Sequence, residues 1–304
     1  MKRSLLTRLR SNGASGLIGA MLILLALPFY QDIVLAPRGY GTVITGLASG
    51  QMAAYLHWIS TYPFQFVIYR LLLIVAFALL LGFPFSLFRI VIAQELMAQL
   101  ERAEEQLALR KAREQAKQES EDKTSDEANE KDKEDQEDEI AQPLDEDGLP
   151  AHLWRGKGFA VTGAWSGLLG LIIYIAGAII STIYFFIVGH SFALHAPLPA
   201  YVNGISNFFT LMTNAVGIGL LALSLLCFGA IIARGGRNLW PVGWVLFGYG
   251  AFVVAALFSG NAISAANNPA AGQTAFTTPA ILLFALWLVW FGIMLVSLKQ
   301  DVGA

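Results

Sequence analysis

Twenty of the 22 acidic residues lie between Glu95 and Asp147, and this crowding constrains the fold more than any other feature of the chain. Between Gln94 and Lys157 those 20 carboxylates meet only 10 Lys and Arg, so the segment is ten units negative while the remainder is positive by eight. A formal net charge of -2 therefore conceals two opposed parts. A run this charged cannot enter hydrocarbon, and past Leu109 it has too few large apolar residues to bury a core, so it must be solvated. On either side the sequence reads as membrane-spanning helix. With 56% hydrophobic residues in 304 and a mean hydropathy of +0.57, the chain is too apolar for one soluble domain.

The predicted architecture is an all-α polytopic bundle of about six spans, with a cytoplasmic helical stalk and a disordered acidic linker. Three parts follow: an N-terminal membrane part over 1–93, a charged stalk and linker over 94–157, and a four-span membrane part over 158–304. The first span is read from the apolar run Gly13–Tyr30 that follows Lys2, Arg3, Arg8 and Arg10. The run ends in Pro28-Phe29-Tyr30 without a small-x-small cleavage pair, which favours an uncleaved anchor over a signal peptide. Pro28 should kink or end that span. Thr42–Ser60 lacks charge but is diluted by glycines and hydroxyls, so it reads as interfacial or re-entrant, with Tyr55, Trp58 and Tyr62 at headgroup level. Pro63 suits the first turn of the next span, and Gly82 with Pro84 marks a kink near its inner end.

Beyond Arg89 a stripe of Ala93, Met97, Leu100 and Leu107, broken by Glu104, predicts a solvated helical stalk, with a coiled-coil-like face for a protein partner as the alternative. Past Ser120 periodicity gives way to alternating Glu, Asp and Lys, the composition of disorder. Four more apolar runs, at Phe159–Val188, Phe208–Ala233, Pro241–Ala262 and Pro279–Leu298, can each cross about 30 Å of hydrocarbon at about 1.5 Å per residue. With six spans, Lys2 to Arg10, Arg89, Arg155 with Lys157, Arg234 with Arg237, and Lys299 share one side, leaving Arg38 opposite. Both termini and the acidic segment are then cytoplasmic, and a bacterial plasma membrane is the expected location.

Motifs that carry chemistry are sparse. The single Cys227 rules out an intrachain disulfide and a cysteine-based zinc site. The histidines at 57, 152, 190 and 195 lack metal-ligand spacing, and Asp145-Glu146-Asp147-Gly148 lacks the rest of a calcium loop, so no metal and no cofactor are expected. There is no phosphate-binding glycine loop, no HExxH and no convincing nucleophile pair, which argues against an enzyme. Small-residue spacings Gly163-x3-Gly167, Gly177-x3-Ser181 and Ala215-x3-Gly219 allow close helix approach within one chain or between copies.

Two polar groupings remain. Asn207, Thr210, Asn214 and Asn261 could line an outer vestibule for a neutral ligand, Asn214 lying well into an apolar helix and needing a partner there. Arg70 is the one ionisable residue well inside a predicted span, about two turns past Pro63. It must snorkel to the headgroups or pair with Asp32, the only outer carboxylate. The functional expectation is a non-enzymatic accessory, scaffold or regulatory subunit, contacting lipid and other protein subunits but no nucleic acid. The alternative is a transporter or channel for a small neutral solute.

Overall fold

The computed structural model describes residues 3–48, 50–123, 157–192, 198–269 and 277–297. Among the described residues every regular element is helical: α1 (Arg3–Met21), α2 (Leu27–Phe29), α3 (Tyr40–Ala48), α4 (Met52–Thr61), α5 (Pro63–Leu79), α6 (Phe83–Lys123), α7 (Lys157–Phe192), α8 (Ala200–Thr210), α9 (Ile218–Leu239), α10 (Val242–Asn267) and α11 (Thr277–Val296). Several join into longer rods. Six continuous helical stretches are long and apolar enough to cross a membrane: Thr7–Arg38, Pro63–Glu95, Lys157–Ser191, Ala200–Gly236, Val242–Asn267 and Thr277–Val296. The polypeptide is an integral membrane protein by this measure.

The chain divides into two units, one formed by Met1–Ile90 with Phe159–Ala304 and the other by Val91–Gly158. In the second unit the described residues are 91–123 and 157–158, so the acidic stretch from Thr124 onward lies outside the described residues. Met97 and Leu107 are exposed. The side chain of Leu100 is not among those described.

In the first unit α1 packs on α11 and α5, and α10 packs on α9 and α11. Two features depart from the expected spans. Pro28 does not end the first rod, which continues to Arg38 because the turns on both sides of it, Leu22–Ala26 and Tyr30–Leu35, widen to π-helix. Widened turns absorb the ring clash and the missing N–H that proline imposes on an α-turn. The fourth rod begins at Ala200, so Asn203 and Asn207 sit inside α8 rather than in a turn. As expected, Pro63 occupies the first turn of α5, and the helix breaks between Leu79 and Phe83, beside Gly82 and Pro84.

The segment between the first two spans folds as a hairpin of two short helices, nine and ten residues long, neither of them a candidate span. Its turn needs Gly50, whose φ of 89° is the left-handed conformation that side chains disfavour. The hairpin faces inward. Tyr55 is 2% exposed, and Leu56, Trp58 and Ile59 are buried with Phe66, Phe185, Val188 and Val202 in one apolar cluster. The Trp58 indole N–H donates to the Arg38 carbonyl at 2.8 Å, tying α4 to the end of the first span.

Glycines set the closest helix contacts. A Cβ built on Gly170 of α7 would lie 2.7 Å from the Gly217 carbonyl oxygen, and one on Gly177 would lie 2.5 Å from Thr213. The Ser224 hydroxyl donates to the Gly163 carbonyl at 2.6 Å across the same seam. The small-residue face of α7 is therefore occupied within the chain. At the other flank Trp287 stacks on Phe247 at 4.2 Å and donates its indole N–H to the Phe247 carbonyl at 3.0 Å, locking α10 to α11.

A backbone oxygen cannot yield as a side chain does, so Gly170→Ala is expected to destabilise the purified protein by about 1–3 kcal/mol, the range for overpacking a tight contact. Gly16→Ala, where a Cβ would meet nothing within 4 Å, should be neutral or slightly stabilising. Melting curves of the two variants in the same detergent check the contrast.

Candidate functional site

A cavity of about 160 Å³ lies inside the first unit. It draws Tyr40 from α3, Tyr55 from α4, Tyr69 and Arg70 from α5, Tyr174 from α7, and Thr210, Thr213 and Asn214 from α8 and the turn after it. That turn, Leu211–Gly217, is π-helical. Such turns occur mostly singly and often at functional sites, because the extra residue re-aims the side chains beside it. The two shared polar positions of the predicted vestibule, Thr210 and Asn214, do line this cavity. Asn207 does not. Asn261 stands behind the wall, 1% exposed, and accepts a hydrogen bond from the hydroxyl of Thr277, which does line it.

Arg70 is the only cation among the lining residues. Its guanidinium lies 5.5 Å from the centre of the Phe66 ring, within cation–π range, and the Tyr55 phenol lines the same cavity. Phenol dipoles at Tyr55, Tyr40 and Tyr174 surround it. Of the two outlets read from the sequence, the pair with Asp32 is not formed: Asp32 is exposed, and among the described residues no ion pair joins it to Arg70. The physical reason is placement on the rods. Arg70 is drawn into the bundle by the inward hairpin, while Asp32 sits on the outer surface of the first span.

The hydrogen-bond inventory shows what the cavity can offer. The hydroxyls of Thr210, Thr213 and Ser181 donate back to their own helices, to Ser206 at 3.2 Å, Phe209 at 2.8 Å and Ala178 at 3.1 Å, so only their lone pairs remain. Tyr69 donates to the Gln31 side chain at 3.3 Å. The Tyr40 and Tyr174 hydroxyls have no hydrogen-bond partner among the described residues, and with the guanidinium N–H groups they are the donors left over. Tyr174 is held by stacking on Phe77 at 4.2 Å. Burial, reinforced by the phenols of Tyr69 and Tyr55 and opposed by Arg70, pushes Tyr40 well above the usual 10.0, so its O–H stays a donor at neutral pH.

Sequence reasoning singled out Arg70 but missed the four tyrosines. Tyr174 carried a signal, since a phenol in the middle of an apolar span needs a polar neighbour. Tyr55 carried a misleading one, because its place on the Thr42–Ser60 stripe suited an interface equally well. His57 and His190 are exposed, His195 lies outside the described residues, and no group of His, Cys, Asp or Glu among the described residues could hold a metal. No family model, no curated protein and no solved structure matches the chain.

The electrostatic coupling of Arg70 to the Tyr55 phenol can be measured. The loss of stability caused by Tyr55→Phe is expected to be larger by about 0.5 kcal/mol or more in wild type than in an Arg70→Leu background, the interaction energy of neighbouring groups. Equal losses in both backgrounds, read from melting curves, would remove that coupling from the account.

Proposed function

We propose that this chain is a non-enzymatic solute-binding membrane protein of the carrier class, with its binding site inside the helical bundle. One observation carries the reading: the cavity around Arg70 is walled by spans from both sides of the acidic segment and capped by a short hairpin that is not itself a span. Carriers place their sites at such junctions, where helices depart from regular α geometry, as they do at Leu211–Gly217. Scattered polar groups set in an apolar wall are also what small-molecule sites require. The first expectation, a scaffold that holds a partner through the 94–157 segment, rests on the exposed Met97 and Leu107 of α6 and stands as the second reading.

The accompanying topology places both termini and the acidic linker in the bacterial cytoplasm and the α3–α4 hairpin outside. Its support is the clustering of Lys and Arg at one set of span ends. In a Cys227→Ala background, cysteines at Ser125 and at exposed Asn203 should react with an impermeant reagent from opposite faces of the membrane. Labelling of the Ser125 position from outside intact cells, with the Asn203 position protected, would reverse the assignment.

The carrier reading is tested by incubating proteoliposomes with a mixture of small metabolites and identifying by mass spectrometry what accumulates. Wild-type vesicles are expected to enrich a small solute, and vesicles carrying Ile44→Trp, which fills the cavity, are not. Deleting 120–147 should leave the enrichment intact. Identical contents in wild-type and cavity-filled vesicles would dispose of the carrier and leave the scaffold.

A further inference from the structure

We infer that the cavity binds a small organic monocarboxylate, its carboxylate on Arg70 and its apolar body against the aliphatic and aromatic wall. This deepens the solute-binding reading and rests on it. The inference starts from charge. Asp32 is the one acidic residue in the described part of the first unit, since the others lie at Glu95–Asp147 and Asp301. Asp32 is exposed and unpaired with Arg70. Among the described residues of the first unit, a permanently charged group is therefore surrounded by phenols and a phenyl face with no counter-charge. A guanidinium held in an apolar layer without an anion is costly, and such groups usually mark a ligand or a relay.

The donors left over match a carboxylate. A guanidinium presents parallel N–H groups that fit two carboxylate oxygens, and Tyr40 and Tyr174 add two further O–H donors with no other partner among the described residues. The hydroxyls of Thr210 and Thr213 have already spent their hydrogens, so they suit a ligand hydroxyl rather than the anion. One cation without a second Lys, Arg or His in the lining fits one negative charge, not two. A cationic solute would meet Arg70 with like charge.

Size and wall composition set the rest of the molecule. A volume of about 160 Å³ is close to that of the roughly 150 Å³ cavity known to take benzene, so about six to nine non-hydrogen atoms fit. Ile44, Leu47, Leu73, Phe185, Phe209 and Ile281 give the cavity an apolar side that a halide or nitrate ion would leave empty. A ring or short chain bearing one carboxylate uses both sides.

The test compares acids with their uncharged amides on the full chain in lipid nanodiscs at pH 7, by calorimetric titration and by melting temperature. The probes are benzoate and hexanoate against benzamide and hexanamide. Both acids, or the better-fitting one, are expected to bind saturably, at least about tenfold tighter than the matching amide, the discrimination a charge-assisted contact provides. Arg70→Gln should erase that preference, Tyr174→Phe should weaken the acid about fivefold or more, and Arg70→Lys, which keeps the charge but loses the fork, should fall between wild type and Arg70→Gln. The acid-to-amide ratio is read on wild-type protein, so it stands even if a variant fails to fold. Amides that bind as well as acids would overturn the carboxylate and leave the solute site. Absence of saturable binding by all four probes would also overturn the carboxylate, whereas the carrier reading fails separately, on identical vesicle contents with and without Ile44→Trp.

Discussion

Arg70 holds a charge that no accessible pH removes, about two turns inside a helix otherwise built for hydrocarbon. The N-terminal half of the fold can be understood as what that charge requires. Phe66 lies one turn earlier on the same helix and offers its ring face. Tyr55 must come from another element, and α4 delivers it because the hairpin buries that side chain against Phe66 and Phe185. That inward fold depends on two local devices, the left-handed turn at Gly50 and the Trp58–Arg38 hydrogen bond. Burial of Tyr55, Leu56 and Ile59 against Phe66 and Phe185 then supplies an apolar gain to a segment too short and too glycine-rich to span.

The C-terminal half solves a different problem, since lipid gives apolar helices no hydrophobic reason to associate. Close packing replaces it. Gly170 and Gly217 let two backbones meet, Ser224 bonds across to Gly163, and the Phe247–Trp287 stack closes the opposite flank. The same glycine seam brings Tyr174 and Thr213 to one cavity, so the packing that binds α7 to its neighbour also positions the site.

Much of this was legible in the sequence, and the parts that were not have physical reasons. Helix length against hydrocarbon thickness sets the six long apolar stretches, so their existence could be read directly, and Pro63 and Gly82 punctuate the chain where local sterics demand. Arg70 stood out because a charge in an apolar run always does. Its surroundings did not, because the sequence offers a buried guanidinium only the headgroups or Asp32 as an outlet, whereas the fold brings phenols from several elements to the same cavity. Of the polar cluster, Thr210 and Asn214 line the cavity and Asn207 does not, a distinction that depends on which side of the rod meets α5 and α7 and so is not written in local spacing. At Pro28 the disturbance itself was legible but its outcome was not: proline breaks α geometry, and the chain answers by widening turns instead of stopping.

The π turn at Leu211–Gly217 has a consequence for the history of the chain. A turn closed by i→i+5 bonds holds one residue more than an α-turn, so everything after it is rotated relative to everything before it. Thr213 and Asn214 can face inward while Gly217, a few residues on, still meets Gly170. A relative whose helix were α throughout would be one residue shorter at this point, although both helices would look unbroken. In an alignment the trace of the cavity would be a single-residue gap in the middle of a membrane span, where insertions are otherwise least expected.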